Sequence, residues 1–383
     1  MPMPFNGERL KEARRFRKLS ITDLANQMEV SKQMISKYER GESIPSAKNY
    51  QKLVFLLRFP LSFFQKKDKF EQENLGTFYR SRLTSTQTEK KPSELKKKYL
   101  AILANLFEQY VDFPTLSDNS IFSNNPTQAA KQLRSAWNLG TGPILDVMDL
   151  LEHHGFKIAL VSSDSGKVDA FGSEIKINNE VYYCILIDEN NNSYFRQQFS
   201  LAHELGHWVL HSGKVYPQEL DSIDYRKMEN EANEFAANFL LPTSEFIDDV
   251  LGEEKDLNNY LRLKQKWKVS ISAMIYRVNS LGLLEPNEFR NLQKKLSYNH
   301  WRHEEPMDRD YSIRKPILMR QAFNLINKVE LFDGNVINDL LENNYGISLP
   351  IEIISELLGV SINELQSNNS NIVKYRNEKL MTK

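Results

Sequence analysis

The stretch LAHELGHWVLH, residues 201–211, carries His203 and His207 four positions apart, with Glu204 between them and His211 one turn further on. The apolar residues around it recur at the spacing of a helix with one buried face. On such a helix the two imidazoles share a face and can bind one zinc ion, while Glu204 can accept a proton from a water molecule there. The alternative is a core helix that happens to carry three histidines.

A catalytic zinc site of this kind needs a third protein ligand. The single cysteine, Cys184, excludes an internal disulfide and a multi-thiolate site, so the ligands must be His and carboxylate. Residue 213 is glycine, which excludes a histidine six positions after His207. The next segment with helical periodicity, RKMENEANEFAANFLLP (226–242), offers Glu229, Glu231 and Glu234.

Together, RQQFSLAHELGHWVLH and ENEANEFAANFLLP resemble the ImmA/IrrE family of zinc-dependent peptidases. The resemblance implies an α+β zincin-like fold, with His203, His207 and Glu231 as zinc ligands and Glu204 as the catalytic base. Glu234, one turn further along the same segment, is the fallback ligand.

Three further side chains near the motif could assist the chemistry. The family pattern implies packing or a supporting hydrogen bond for His211, not metal binding. Tyr216 and Tyr225 lie in the acidic loop between the two motif helices and could reach a tetrahedral oxyanion.

The amino-terminal end is basic, although the whole chain has no net charge. Residues 1–70 contain 15 Lys and Arg against 7 Asp and Glu, which suits a polyanionic partner. Residues 8–46 read as three short helices, with Ser20 and Ser31 as helix caps and a tight corner between the last two. This pattern predicts a helix-turn-helix whose third helix enters the major groove of DNA.

The DNA-contact residues predicted on that third helix are Lys32, Gln33, Ser36 and Lys37, which face away from the buried Ile35. The stretch LANQMEVSKQMISKYERGESIPS resembles the lambda-repressor-like XRE domains. Those domains usually carry glutamine where this chain has Ile21, so base contacts through Gln33 are favoured over the usual contact from helix two. The alternative is a small three-helix bundle that binds protein.

The whole chain is predicted to be a multidomain protein, mostly α-helical with a small β-sheet. An all-α helix-turn-helix domain (1–67) is followed by a linker and connecting helix (68–113), the peptidase-like domain (114–290) and a helical carboxyl-terminal region (291–383). Strands are predicted at 156–162, 167–173 and 181–188, in a mainly antiparallel sheet. Neither a signal peptide nor a membrane span is expected, and we expect a cytoplasmic protein.

These features favour a DNA-binding zinc metallopeptidase and transcriptional regulator. By resemblance, its protein substrate would be a helix-turn-helix repressor that controls stress, phage or mobile-element genes. One alternative is a DNA-binding regulator whose zincin domain serves as a sensor or interaction module with little turnover. A second is a toxin or immunity component of a mobile-element module. Double-stranded DNA is the expected nucleic-acid partner, and XRE domains usually act as dimers on paired half-sites.

Overall fold

The computed structural model describes residues 4–77, 87–119, 122–162, 170–190, 193–215, 217–329 and 332–366. In chain order the helices of the amino-terminal half are α1 (Gly7–Phe16), α2 (Ile21–Met28), α3 (Lys32–Glu39), α4 (Ala47–Leu57), α5 (Gln87–Phe107), α6 (Pro126–Ala136), α7 (Val147–His153) and α8 (Tyr194–Leu210). Those that follow are α9 (Ser222–Leu240), α10 (Thr243–Val250), α11 (Leu257–Trp267), α12 (Ile271–Ser280), α13 (Pro286–Tyr298), α14 (Leu318–Val329), α15 (Gly334–Tyr345), α16 (Ile351–Leu358) and α17 (Ile362–Gln366). The strands are β1 (Gln72–Thr77), β2 (Lys157–Val161), β3 (Ala170–Ile177) and β4 (Glu180–Asp188). The protein is mostly α-helical with a small mixed sheet, as predicted.

The chain divides into two compact units, and their boundaries differ from the predicted linear order of domains. The first unit contains residues 1–70, 102–112 and 319–383; the second contains residues 71–101 and 113–318. The carboxyl-terminal helices therefore fold with the amino-terminal end and do not form a separate region. The physical reason lies in long-range contacts such as the hydrogen bond between the Ser62 and Ser348 hydroxyls (2.7 Å), which periodicity along the chain does not reveal.

The amino-terminal helices of the first unit form at the predicted caps. The Ser20 hydroxyl accepts the Asp23 amide while the Asp23 carboxylate accepts the Ser20 amide, which is a complete capping box. The Ser31 hydroxyl accepts the Met34 amide at the start of α3. Between α2 and α3, Glu29 takes the left-handed conformation with φ 57°, which makes the short corner of a helix-turn-helix.

A buried ion pair fixes α3 against α1 in this unit. The Arg14 guanidinium donates to both carboxylate oxygens of Glu39, at 2.5 Å and 3.0 Å, and to the Leu19 carbonyl at 2.7 Å. Bidentate geometry of this kind holds a helix in one orientation. The face of α3 opposite this ion pair is consequently presented at a fixed angle.

The second unit is built on a four-stranded sheet in the order β1-β3-β4-β2. The β1–β3 and β3–β4 pairs are antiparallel, and β2 lies parallel to β4. Strand β1 lies in the segment 68–113, for which the sequence predicts only a linker and a connecting helix. That prediction was wrong for residues 72–77, because their strand is defined by backbone pairing with β3 and not by apolar alternation. Residues 167–169 of the predicted second strand lie outside the described residues.

Helix α8 packs on β3 of this sheet and against α9, with Leu205, Phe235 and Ala236 in a shared apolar core. Gly206 lies at the point where the two helices meet. A Cβ atom at this position would lie 3.1 Å from the Ala232 carbonyl oxygen and 3.0 Å from the Phe235 ring. The absence of a side chain thus allows the backbones to approach closely.

Candidate metal centre and nucleic-acid interface

The two histidines of the motif converge on one point. Helix α8 is capped by Ser193 and is buried along most of its length, including His203 and His207. Their Nε2 atoms lie 3.0 Å apart. Because the two residues are one helical turn apart, their rings project from the same face.

A carboxylate of α9 completes the cluster. The Glu229 Oε2 atom lies 3.4 Å from His203 Nε2, and its Oε1 atom lies 3.5 Å from His207 Nε2. Among the described residues, the His, Cys, Asp and Glu side chains grouped closely enough to hold a metal ion are His203, His207 and Glu229. The close approach of α8 and α9 at Gly206 brings Glu229 within this distance.

The structure places Glu229, and not the predicted Glu231, beside the two imidazoles. Residues two apart on a helix project about 200° apart, so one helix cannot aim both carboxylates at the same point. Glu231 instead accepts a hydrogen bond from His211 Nε2 at 3.0 Å. The fallback residue, Glu234, accepts one from the Thr127 hydroxyl at 3.0 Å.

The sequence contains one indication for Glu229, because helical periodicity puts it on the same face of α9 as Asn233. The family pattern favours Glu231 instead. Asn233 lies one turn after Glu229, on the same face of α9, and its Oδ1 atom is 3.0 Å from His203 Nδ1. An amide oxygen accepts, so the Nδ1 atom of His203 carries the proton and its Nε2 atom has a free lone pair. That lone pair faces the cluster.

A second hydrogen-bonded chain orients His207. Its Nδ1 atom lies 3.1 Å from His211 Nδ1, and His211 Nε2 lies 3.0 Å from Glu231. The Glu231 carboxylate requires a proton on His211 Nε2, which makes His211 Nδ1 the acceptor for the proton on His207 Nδ1. Burial lowers the pKa of His211 to about 3, so this ring is neutral. The His207 Nε2 atom is thereby left unprotonated, as metal binding requires.

The three side chains fit a divalent metal ion. Ligands about 2.1 Å from a tetrahedral ion lie roughly 3.4 Å from one another, close to the separations of 3.0, 3.4 and 3.5 Å found here. The Glu229 carboxylate faces both Nε2 lone pairs, an arrangement that a cation between them would stabilise. Its Oε1 atom is buried and has no hydrogen-bond partner in the described part of the chain, as expected for an atom that awaits a cation.

Glu204, the residue after His203 on α8, is held in place by hydrogen bonds to the sheet. Its Oε2 atom accepts the Gly172 amide of β3 at 2.6 Å, and the Tyr183 hydroxyl donates to its backbone carbonyl at 3.3 Å. A Cβ atom at Gly172 would lie 2.9 Å from that carboxylate and 2.7 Å from the Tyr183 ring. A side chain at this position would require the Glu204 carboxylate or the Tyr183 ring to shift.

A buried lysine that the sequence did not single out lies on the other side of Gly172. Lys97 of α5 is fully buried, and its ammonium group donates to the Gly172 carbonyl at 3.4 Å and lies 5.4 Å from the centre of the Phe171 ring. Burial lowers the pKa of Lys97 to about 7, although Glu94 and Glu204 favour its charged form. Gly172 thus connects Glu204, through its amide, to Lys97, through its carbonyl.

Of the two tyrosines that could reach an oxyanion, Tyr225 lies within the described residues and Tyr216 does not. Tyr225 packs against Met228, with Val215 and Leu220 around them, in a small apolar cluster. Tyr216 lies outside the described residues.

The predicted DNA-contact residues share one accessible surface of α3. Lys32, Gln33 and Lys37 are exposed and Ser36 is half-buried, whereas Ile35 is buried in the core of the unit. Ile21, at the position where the XRE pattern usually has glutamine, is half-buried at the start of α2.

Family models match two parts of the chain. Residues 10–64 match a family model described as helix-turn-helix, and residues 151–279 match a peptidase-family model described as an IrrE N-terminal-like domain. The chain joins an XRE-type helix-turn-helix domain to an ImmA/IrrE-like domain. A search of curated proteins found no match to the chain. Among the described residues, no helix has the length and apolar character needed to cross a membrane.

The buried Lys97 should make the stability of the second unit depend on pH. The pKa of lysine in an unfolded chain is about 10.4. Between about pH 7 and this value, the Lys97 side chain is protonated in the unfolded chain and neutral in the folded chain. The stability of the wild type should therefore rise with pH across this window. The free energy of unfolding of the wild type should rise with pH more steeply than that of Lys97→Met, by up to about 1.4 kcal/mol per pH unit.

Urea unfolding at about pH 7.5 and about pH 9.5 would measure this difference, with Lys96→Met as the matched control for loss of a lysine. An identical pH dependence in wild type and Lys97→Met would show that Lys97 is not neutralised by burial.

Proposed function

We propose that this protein is a DNA-binding, zinc-dependent metallopeptidase that regulates transcription in the cytoplasm. The observation that carries the proposal is the convergence of His203, His207 and Glu229 on one point. Glu204 follows His203 on the same helix. Two neutral imidazoles and one carboxylate are the ligand set of a catalytic zinc site that leaves one position open. The helix-turn-helix domain supports DNA binding.

Each residue of the proposed centre has its own role. His203, His207 and Glu229 would hold the ion, which when bound would polarise a peptide carbonyl and acidify a water molecule. The Asn233 and His211 hydrogen bonds keep the two imidazoles in the tautomer that binds. Glu204 would accept the proton of the attacking water and pass it to the amine that leaves.

The proposed substrate is a helix-turn-helix repressor. The fused DNA-binding domain would bring the peptidase to a repressor on DNA and so raise the local concentration of the substrate. Cleavage of the repressor would then allow transcription of genes for stress, phage or mobile-element functions.

A second candidate, a regulator whose ImmA/IrrE-like domain senses or binds a partner without turnover, also has an observation in its favour. The Glu204 carboxylate already accepts the Gly172 amide at 2.6 Å, so one of its oxygens is engaged. In that candidate the carboxylate would act as a structural link between α8 and β3.

For DNA recognition, we propose that Gln33 reads a base edge while Lys32, Ser36 and Lys37 contact phosphates or neighbouring bases. Their positions on the accessible face of α3 support this assignment. A homodimer on two half-sites would follow from the usual geometry of helix-turn-helix proteins.

The choice between Glu229 and Glu231 can be tested by metal content. Glu229→Gln should reduce bound zinc to under about one tenth of an equivalent, because it removes the anionic ligand. Glu231→Gln should keep close to one equivalent, because Glu231 contacts His211 and not the cluster. Elemental analysis after dialysis would measure both, with His203→Ala as the negative control. Loss of zinc only in Glu231→Gln would restore the family-based assignment.

Peptidase activity can be tested on repressors encoded beside the gene. The zinc-loaded protein should cleave one of them, and Glu204→Gln should lower the rate by at least about a hundredfold, since it removes the proton acceptor. Zinc content and DNA affinity should be equal in the two proteins. If neither protein cleaves any of these repressors while both bind zinc and DNA, the regulator without turnover becomes the correct account.

DNA recognition by α3 can be tested on duplexes selected from a random pool. Gln33→Ala should lower affinity for the selected sequence by about 1–3 kcal/mol and relax the preference at one base pair. Lys37→Ala should weaken binding to all duplexes and reduce the salt dependence by about one unit of slope. Gln51→Ala, an exposed glutamine on α4, is the matched control. Equal effects of Gln33→Ala and Gln51→Ala would exclude α3 as the reading helix.

A further inference from the structure

Strand β1 joins the sheet from a distant part of the sequence. Residues 72–77 pair antiparallel with β3, and the next strand of the sheet begins only at residue 157. In the order β1-β3-β4-β2, β1 covers an edge that β3 would otherwise expose. The uncovered edge of β3 would present a row of backbone amides and carbonyls to any extended peptide.

The edge of β3 that β1 covers ends next to Gly172, the residue that binds the proposed base, Glu204. Thr77, the last residue of β1, pairs with Ser173, which is adjacent to Gly172. The Gly172 amide holds the Glu204 carboxylate at 2.6 Å. The Ser173 hydroxyl is buried and has no hydrogen-bond partner within the described residues, which is costly unless a ligand supplies one.

Strand β1 is held unevenly along its length. At the end far from Glu204, the Glu71 carbonyl accepts the Asn178 amide at 2.9 Å, and the Glu71 amide donates to the Asn178 side chain at 3.2 Å. Towards Glu204 the register is irregular between Asn74 and Thr77, where β1 has one more residue than β3. The sequence QENLGT contains few residues with strong strand preference. The end of β1 near the site is therefore the end that is easier to detach.

We propose that the edge of β3 is where the site binds its substrate as an extended peptide, and that β1 occupies this edge in cis until the substrate replaces it. This inference rests on the proposed peptidase function. A peptide on β3 would run antiparallel to the strand, as β1 does, and its backbone would pass Ser173 and Gly172 beside Glu204. Backbone pairing would supply affinity with little sequence preference, and strand β1 would compete at an effective concentration of about millimolar.

The proposed regulation follows from this competition. A segment of the repressor that is folded offers no free strand, whereas a loosened or extended segment can pair with β3. Detachment of β1 would begin at Thr77 and stop at the Glu71–Asn178 anchor. The segment that connects the DNA-binding end to the ImmA/IrrE-like domain would thus also control access to the site.

Strand replacement can be tested without catalysis by disulfide trapping. The host is the full chain with Glu204→Gln, Lys176→Cys and Glu73→Pro; the proline removes a backbone amide of β1. The probe is a synthetic peptide of residues 70–77 with Glu73→Cys, because position 73 lies opposite 176 in the ladder. In a glutathione buffer, intact mass should show at least tenfold more peptide bound to this host than to a host with unaltered β1.

A peptide of scrambled order with the same cysteine serves as the probe control. Native Cys184 is buried and should not react. Equal trapping by the two hosts, or equal trapping of the scrambled peptide, would overturn the proposal. If the proline host does not fold, a host that lacks residues 72–77 provides the same comparison.

A reversible lock tests the consequence for activity. Thr77→Cys with Ser173→Cys, in a chain that also carries Cys184→Ala, ties the end of β1 near Glu204 to β3; Lys176→Cys with Val181→Cys ties β3 to β4 and leaves β1 free. Residues directly opposite in antiparallel strands have Cα separations of about 4.5–5.5 Å, which suits a disulfide. On fluorescein-labelled casein, the first oxidised protein should be at least tenfold less active than after reduction. The second should change less than twofold.

The two experiments separate this inference from the proposed function. Full activity of the first protein while oxidised would overturn the role of β1, even if Glu204-dependent cleavage is present. Absence of any Glu204-dependent cleavage would count against the peptidase, and the trapping experiment would still decide whether β3 accepts a peptide in place of β1.

Discussion

The close approach of α8 and α9 at Gly206 is the constraint on which the site depends. Without a side chain there, the backbone of α8 comes close enough to Ala232 and Phe235 for Glu229 to reach the two imidazoles. Most of the buried polar groups around the two imidazoles are hydrogen-bonded to one another. Asn233 and His211 orient the rings, Glu231 orients His211, and Gly172 holds Glu204.

Sequence patterns were sufficient where the physics is local. The spacing of His203 and His207 on one helix, the caps at Ser20 and Ser31, and the exposed face of α3 all depend on residues within a few turns of one another. The helix-turn-helix and ImmA/IrrE resemblances agree with the family matches. Local patterns of residues are therefore enough to predict both domains.

The sequence was insufficient where the decisive contacts are long-range. Glu229 and Glu231 differ only in which face of α9 they occupy, and that choice depends on how α9 packs against α8. Strand β1 has a polar sequence and exists because β3 pairs with it, so its residues read as a linker. Lys97 gave no sequence signal, because the burial that lowers its pKa comes from elements far along the chain. The return of the carboxyl-terminal helices to the first unit was hidden for the same reason.

A metal centre beside a displaceable strand gives one physical account of a peptidase with its own DNA-binding domain. The central claim is the ligand set, and anomalous diffraction at the zinc edge from crystals of the zinc-loaded chain tests it most directly. The account predicts one strong peak about 2.0–2.2 Å from His203 Nε2, His207 Nε2 and a Glu229 carboxylate oxygen. A peak coordinated by Glu231 or His211, or no peak between α8 and α9, would contradict it.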